Sequence, residues 1–247
     1  MNILAIPQQL NRPVFVCLLM LALALSVPVR AEQALVPYSA EYKVKISILS
    51  GRLTTDLRTT EEGFEATHVI KPSGLAKMIR NGVISERSQF SATGDGVKAS
   101  WYQSEDTLSK EETRAEVRFD WSSNEMSGTV NDEDVQMILE SLVHDRVAIQ
   151  YQLMYDMLNG GPDERYILFD IDEFKTLIVS NVGEREIRTP AGKFNAVGIQ
   201  HQAEHSSRVT TLWCVEELGY LPVLIEQHRK GKLRLKAVLK NYTPLTT

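Results

Sequence analysis

The stretch Tyr38-Ser39-Ala40-Glu41-Tyr42-Lys43-Val44-Lys45-Ile46-Ser47-Ile48 decides how the rest of the chain is read. Tyr42, Val44, Ile46 and Ile48 fall on one side of an extended backbone and Lys43, Lys45 and Ser47 on the other, because successive side chains of a strand point to opposite faces. Alternation of this kind reads as a half-buried β-strand. It returns at Val117, Phe119 and Trp121 against Arg118 and Asp120, and near the end at Leu233 and Leu235 against Lys232, Arg234 and Lys236. Outward charges on such strands also discourage edge-to-edge pairing.

Turn chemistry separates these runs at short intervals: Ser50-Gly51, Glu62-Gly63, Asp95-Gly96, Ser123-Asn124, Pro190-Ala191-Gly192, Leu218-Gly219 and Lys230-Gly231. Short strands joined by tight turns build antiparallel meanders rather than parallel crossovers. Two stretches depart from the pattern. From Asp145 to Asn159, the residues Val147, Tyr151, Met154 and Leu158 recur at helical spacing, with Asp145 as N-cap and Gly160-Gly161-Pro162 as the stop. A shorter stretch, Ser73 to Arg80, reads either as a helix with Leu75, Ala76 and Ile79 inward or as a loop. The fold class expected is mainly β: a large curved antiparallel sheet or partly open barrel packed around one amphipathic helix, which buries the sheet's apolar face.

Residues 1–31 differ in character from the rest of the chain. Arg12 precedes an apolar run from Val14 to Val27, and Val29-Arg30-Ala31 supplies small residues for a signal peptidase. The run is shorter than the ~20 residues that span a bilayer as a helix, so we expect a signal peptide cleaved after Ala31 rather than an anchor. Residues 32–247 then form a single antiparallel β domain, exported to the periplasm, with no membrane span. Of the 27 Lys+Arg in the chain, two lie in the leader, which leaves 25 against 32 Asp+Glu and a net charge of −7. That balance argues against nucleic acid as a partner. Cys17 falls within the leader, so Cys214 alone remains and cannot form an internal disulfide.

Read in order, the chain carries Pro37-Tyr38 with Tyr42, Gly74-Leu75-Ala76 followed by Glu86-Arg87-Ser88, then Phe119-Asp120-Trp121 and the helix with Tyr151-Gln152-Leu153. The turn Thr189-Pro190-Ala191-Gly192-Lys193-Phe194 comes next, then Trp213 ahead of Leu218-Gly219-Tyr220-Leu221-Pro222-Val223. This ordered set resembles the exported bacterial proteins of the domain of unknown function 3108 family. The resemblance implies an envelope location, a curved sheet similar to carriers of lipid or lipoprotein acyl chains, and no assigned reaction. The family's helix often has a serine after its Asp-containing start, whereas here the stretch is Asp145-Arg146-Val147-Ala148.

No chemical motif stands out. His201 and His205, read on a strand, would sit ~13 Å apart on one face, too far to share an ion. His68, His144 and His228 are isolated. Neither Asp170-Asp172-Glu173 nor Asp132-Glu133-Asp134 has the ligand and glycine spacing of a calcium loop. Cys214 beside Trp213 reads as a small buried hydrophobe, and neither Ser73-Gly74 nor Ser206-Ser207 forms a nucleophile elbow. We therefore expect neither an enzyme nor a cofactor or metal. Trp101, like the other aromatics, reads as core. Tyr42, Trp121, Tyr151, Met154, Leu158 and Trp213, with both tryptophans inward, are the candidates to line an apolar ligand cavity. The function expected is a periplasmic carrier of a hydrophobic small molecule, lipid or acyl chain. The alternative is a structural or adaptor protein of the envelope that binds a protein partner.

Overall fold

The computed structural model describes residues 32–47, 49–79 and 81–245. From Gln33 onward they belong to one compact unit. The leader read over residues 1–31 lies outside the described residues, as do Ile48 and Arg80.

The first half of this unit is a run of hairpins: β1 (Tyr38–Ile46), β2 (Leu49–Thr60), β3 (Gly63–Pro72), the single-turn α1 (Ala76–Ile79), β4 (Ile84–Thr93), β5 (Gly96–Asp106), β6 (Thr113–Asp120), β7 (Glu125–Val130) and β8 (Glu133–Ile138). A two-residue strand β9 (Val143–His144) and the helix α2 (Ala148–Asn159) come after them. The second half is again a meander: β10 (Arg165–Phe169), β11 (Phe174–Thr189), β12 (Gly192–Ala203), β13 (Arg208–Val215), β14 (Leu221–Arg229) and β15 (Lys232–Pro244). All fifteen strands form one sheet in the order β8-β7-β6-β5-β4-β3-β2-β1-β15-β14-β13-β12-β11-β10-β9. Neighbours are antiparallel except β9 and β10, which run parallel. The sheet does not close, since β8 and β9 are its two edges. It curls far enough for β9 to touch β5, and α2 packs on its inner face against β4, β5 and β9.

The start of α2 is built around a buried carboxylate. Asp145 Oδ1 accepts the N–H groups of Val147 and Ala148, each at 2.8 Å, and its Oδ2 accepts the Ser88 hydroxyl of β4 at 2.6 Å. The N-cap position is therefore Val147 rather than Asp145, whose side chain instead holds the Val147 and Ala148 N–H groups from just upstream of the helix. Gly160 at φ 139° and the Gly161 N–H on the Asp156 carbonyl at 2.7 Å end it. Midway, Gln152 Oε1 accepts the Val97 N–H at 2.6 Å and Nε2 donates to Asp156 Oδ1 at 2.7 Å. Gly96 permits this approach: at φ +98° it adopts a conformation open to glycine, and a Cβ there would stand 2.8 Å from Gln152 Oε1.

Several local readings change. The helix was expected to bury one stripe, but Ala148, Ile149, Tyr151, Gln152, Leu153, Met154 and Tyr155 are all buried. Val147, Tyr151 and Met154 belong to the main core, whereas Ile149 and Leu153 join a second cluster with Leu177, Ile199, Leu212 and Cys214. A sheet wrapped around a helix buries more than one stripe of it. Leu233, expected inward, is 46% exposed, because the β14–β15 register shifts between Gln227 and His228 and reverses the strand's phase. Leu75, also expected inward, is 79% exposed on the turn before α1, while Ala76 is buried. The turn read at Ser50-Gly51 instead begins at Ser47, and both residues belong to β2.

Candidate functional site

A cavity of about 970 Å³ opens between the first half of α2 and the inner face of the sheet. It lies at the upper end of the ~300–1,000 Å³ typical of small-molecule sites. Ile149 and Leu153 of α2 share its lining with Val44, Leu53 and Ile70 of β1–β3 and with Leu212, Ile225 and Ala237 of β13–β15.

One wall of the cavity is polar but uncharged. His68 Nε2 lies 3.3 Å from the Tyr151 hydroxyl, which lies 3.2 Å from that of Tyr38; Gln150 Nε2 donates to the Tyr38 hydroxyl at 3.4 Å. His68 and Gln150 line the cavity. Burial pushes the His68 imidazole down to about 4 and the Tyr38 phenol up to about 12, and it raises Tyr151 well above its ordinary range. His201, elsewhere in the lining, is pushed down to about 4 by burial as well. These groups are neutral at pH 7.

The mouth is charged. Arg146 Nε lies 3.1 Å from Glu86 Oε1, which also accepts the Tyr102 hydroxyl at 2.8 Å. Lys175 Nζ holds Asp170 at 2.6 Å and Glu173 at 2.9 Å. Asp170 and Glu173 of the acidic turn are thus engaged in ion pairs. His201 in β12 and His205 in the turn after it both reach the lining. Among the described residues, no group of three His, Cys, Asp or Glu is placed to hold a metal ion. Burial pushes the Cys214 thiol up to about 12, which keeps it protonated.

The six residues read as candidate lining lie outside the cavity wall. Tyr42 is buried and donates to the Pro222 carbonyl at 2.9 Å. Tyr151 stacks on Phe90 with ring centroids 5.2 Å apart and is linked by its hydroxyl to His68 in the cavity lining. Met154 is buried in the main core, and Leu158 packs half-buried at the far end of α2. Trp121 stacks on Phe119 at 6.1 Å and donates to the Ala99 carbonyl at 2.6 Å. Trp213 follows Leu212, which lines the cavity, and so lies on the opposite side of β13; it is buried in the main core rather than in the cavity wall, and the Arg185 guanidinium covers its ring at 3.8 Å. Alternation could not set this phase, because β13 is buried on both faces from Thr210 to Val215.

The sequence reading missed Ile149, Leu153, Arg146, Arg208 and Arg229 as lining residues. The first two lie two positions after Val147 and Tyr151 and would have been found had the helix been read as apolar on two sides. The arginines carry no local signal, because only the strand register puts them together.

The model of the family described as protein of unknown function DUF3108 matches residues 37–237. The chain belongs to the DUF3108 family. No curated protein matches this DUF3108 sequence. Among solved structures, it is similar to a beta-barrel-like protein of domain of unknown function DUF1849 from Brucella abortus, at 12% identity and a TM-score of 0.59, over 87% of this chain and 100% of that one. The likeness is one of fold. Among the described residues of this DUF3108 chain, no helix is long and apolar enough to cross a membrane.

Proposed function

We propose that this DUF3108 chain is an exported periplasmic carrier whose ligand is a hydrophobic small molecule, a lipid or acyl chain, held between α2 and the inner face of the sheet. The observation that carries the reading is the open cavity of about 970 Å³ whose lining includes an apolar stretch of Val44, Leu53, Ile70, Ile149, Leu212 and Ile225. Each Å² of apolar ligand surface removed from water contributes ~25 cal/mol, so a long acyl chain gains affinity without bond chemistry. The neutral His68–Tyr151–Tyr38 wall is compatible with such a ligand, since it adds no buried charge that the tail would have to desolvate. The open cavity supports this reading over an adaptor, which a filled interior would favour.

Export rests on the apolar run and small residues at 14–31. N-terminal sequencing of the protein from the envelope fraction should begin at Glu32; a cytosolic protein that keeps residues 1–31 would remove the compartment from the proposal. Ligand binding is tested by native mass spectrometry and lipid extraction of the purified protein. Titration of a fluorescent fatty acid into the lipid-stripped form then measures affinity. A co-purifying amphiphile and saturable binding are expected. Absence of binding across fatty acids, lysophospholipids and phospholipids would overturn the carrier reading.

A further inference from the structure

Three rungs of the β13–β14 ladder run along the inner face from the depth of the cavity to its mouth: Leu212 opposite Ile225, Thr210 opposite Gln227, and Arg208 opposite Arg229. All six residues line the cavity. Polarity therefore rises in order, from an apolar rung through a hydrogen-bonded one, where Gln227 Nε2 donates to Thr210 Oγ1 at 3.3 Å, to a doubly cationic one.

Side chains directly opposite on antiparallel strands have Cβ atoms only ~4.5–5.5 Å apart, and like charges so placed are destabilising. Among the described residues, no carboxylate forms an ion pair with this rung. The carboxylates in the lining are already engaged: Glu86 by Arg146, Asp170 and Glu173 by Lys175, and Glu204 by Arg165. Among the described residues, neither Arg208 nor Arg229 has an ion-pair partner. Both also border an adjoining hollow with Lys230 and Arg234, which have none either. In a chain with more acids than bases, four unmatched cations at one end of a cavity are a local feature rather than a consequence of composition.

We propose that the Arg208–Arg229 rung binds the anionic head group, phosphate or carboxylate, of an amphiphile whose tail lies in the cavity. Paired guanidinium forks present several N–H donors to such a group, and the anion relieves their mutual repulsion. The inference rests on the carrier reading and adds the head-group chemistry and the orientation: head at the mouth, tail toward Ile225 and Ile149.

The test compares displacement of a fluorescent fatty acid by a fatty acid, a lysophosphatidic acid and the fatty alcohol of equal chain length. Wild type and an Arg208→Gln/Arg229→Gln variant are measured at low and high salt. Wild type should prefer the two anions over the alcohol by about tenfold or more at low salt. The variant should lose that preference while keeping its affinity for the alcohol, and high salt should weaken it in wild type. The ligand-free variant should melt no lower than wild type, since the substitution removes a like-charge pair; this doubles as the folding control. Inorganic phosphate alone should bind the wild type far more weakly than the lysophosphatidic acid. Equal binding of acid and alcohol, or a variant that keeps the preference, overturns the head-group site and leaves the carrier standing. Phosphate binding as tightly as the lipid makes this a free-anion site and overturns the assignment to an amphiphile. Failure of all three amphiphiles to bind overturns both readings.

Discussion

The Tyr151 hydroxyl joins groups that lie 113 and 83 residues away in the chain, at Tyr38 and His68. Tyr151→Phe keeps the ring on Phe90 and removes two hydrogen bonds, so it should cost ~1–2 kcal/mol in urea denaturation. Tyr151→Ala also empties a buried site and should cost ~3–5 kcal/mol, by analogy with truncation of other large aromatic residues. A larger pH effect comes from the histidines. Burial pushes His68, His144 and His201 from 6.5 down to about 4, so between these values the unfolded chain takes up protons that the folded one refuses. Their contribution is complete above pH 6.5 and declines as pH falls toward 4. Asp145 acts in the opposite sense: burial raises its carboxyl to about 7, so its folded state holds a proton from there down to 3.8 that the unfolded chain releases. Three groups oppose one, and the urea midpoint should fall between pH 6.5 and 4.5. A constant or rising midpoint would contradict the buried, neutral histidines. At Trp213, replacement by Phe should leave fatty-acid affinity unchanged, since the ring is not part of the cavity lining. Gly198→Ala should cost ~1–3 kcal/mol by overpacking, because its Cβ would stand 2.8 Å from that ring.

At the scale of the element, α2 presents different residues to the core and to the cavity, and substitutions along it should separate stability from binding. Met154 is enclosed by the main core, so Met154→Trp should overpack and lower stability by ~1–3 kcal/mol. Ile149 is buried in the second apolar cluster where that cluster borders the cavity, so Ile149→Trp should cost ~1–3 kcal/mol by overpacking and weaken fluorescent fatty-acid binding. Equal affinities for wild type and a folded Ile149→Trp protein would place the ligand elsewhere. The helix's existence and ends were legible: Asp145, the spacing of Val147, Tyr151, Met154 and Leu158, and the two glycines are local signals. Which helical face meets the cavity was not, because both faces are apolar and only the packing of a distant ladder tells them apart.

On the scale of the whole molecule, the first and last strands of the meander meet: β1 lies between β2 and β15, pairing Tyr38 with both Leu57 and Pro244. The centre of the sheet is thus closed by residues from opposite ends of the domain, while β8 is paired on one side only. Hydrogen exchange should mirror this arrangement, with amides of β1 and β15 the slowest and those of β8 among the fastest of the strands. Protection of β8 equal to that of β1 would rule out an uncovered edge.

The alternation from Tyr38 to Ile46, the spaced turns and the helical stretch determined by themselves a mainly β fold with one helix, because strand and helix periodicities are local properties of side-chain order. They could not determine phase where a strand is buried on both faces, as at Trp213, or where a bulge intervenes, as before Leu233. Nor could they place Arg208 opposite Arg229, or Leu212 opposite Ile225. Those pairings come from the register between strands and from the curl of the sheet about α2, and the cavity is the space that register and curl leave unfilled.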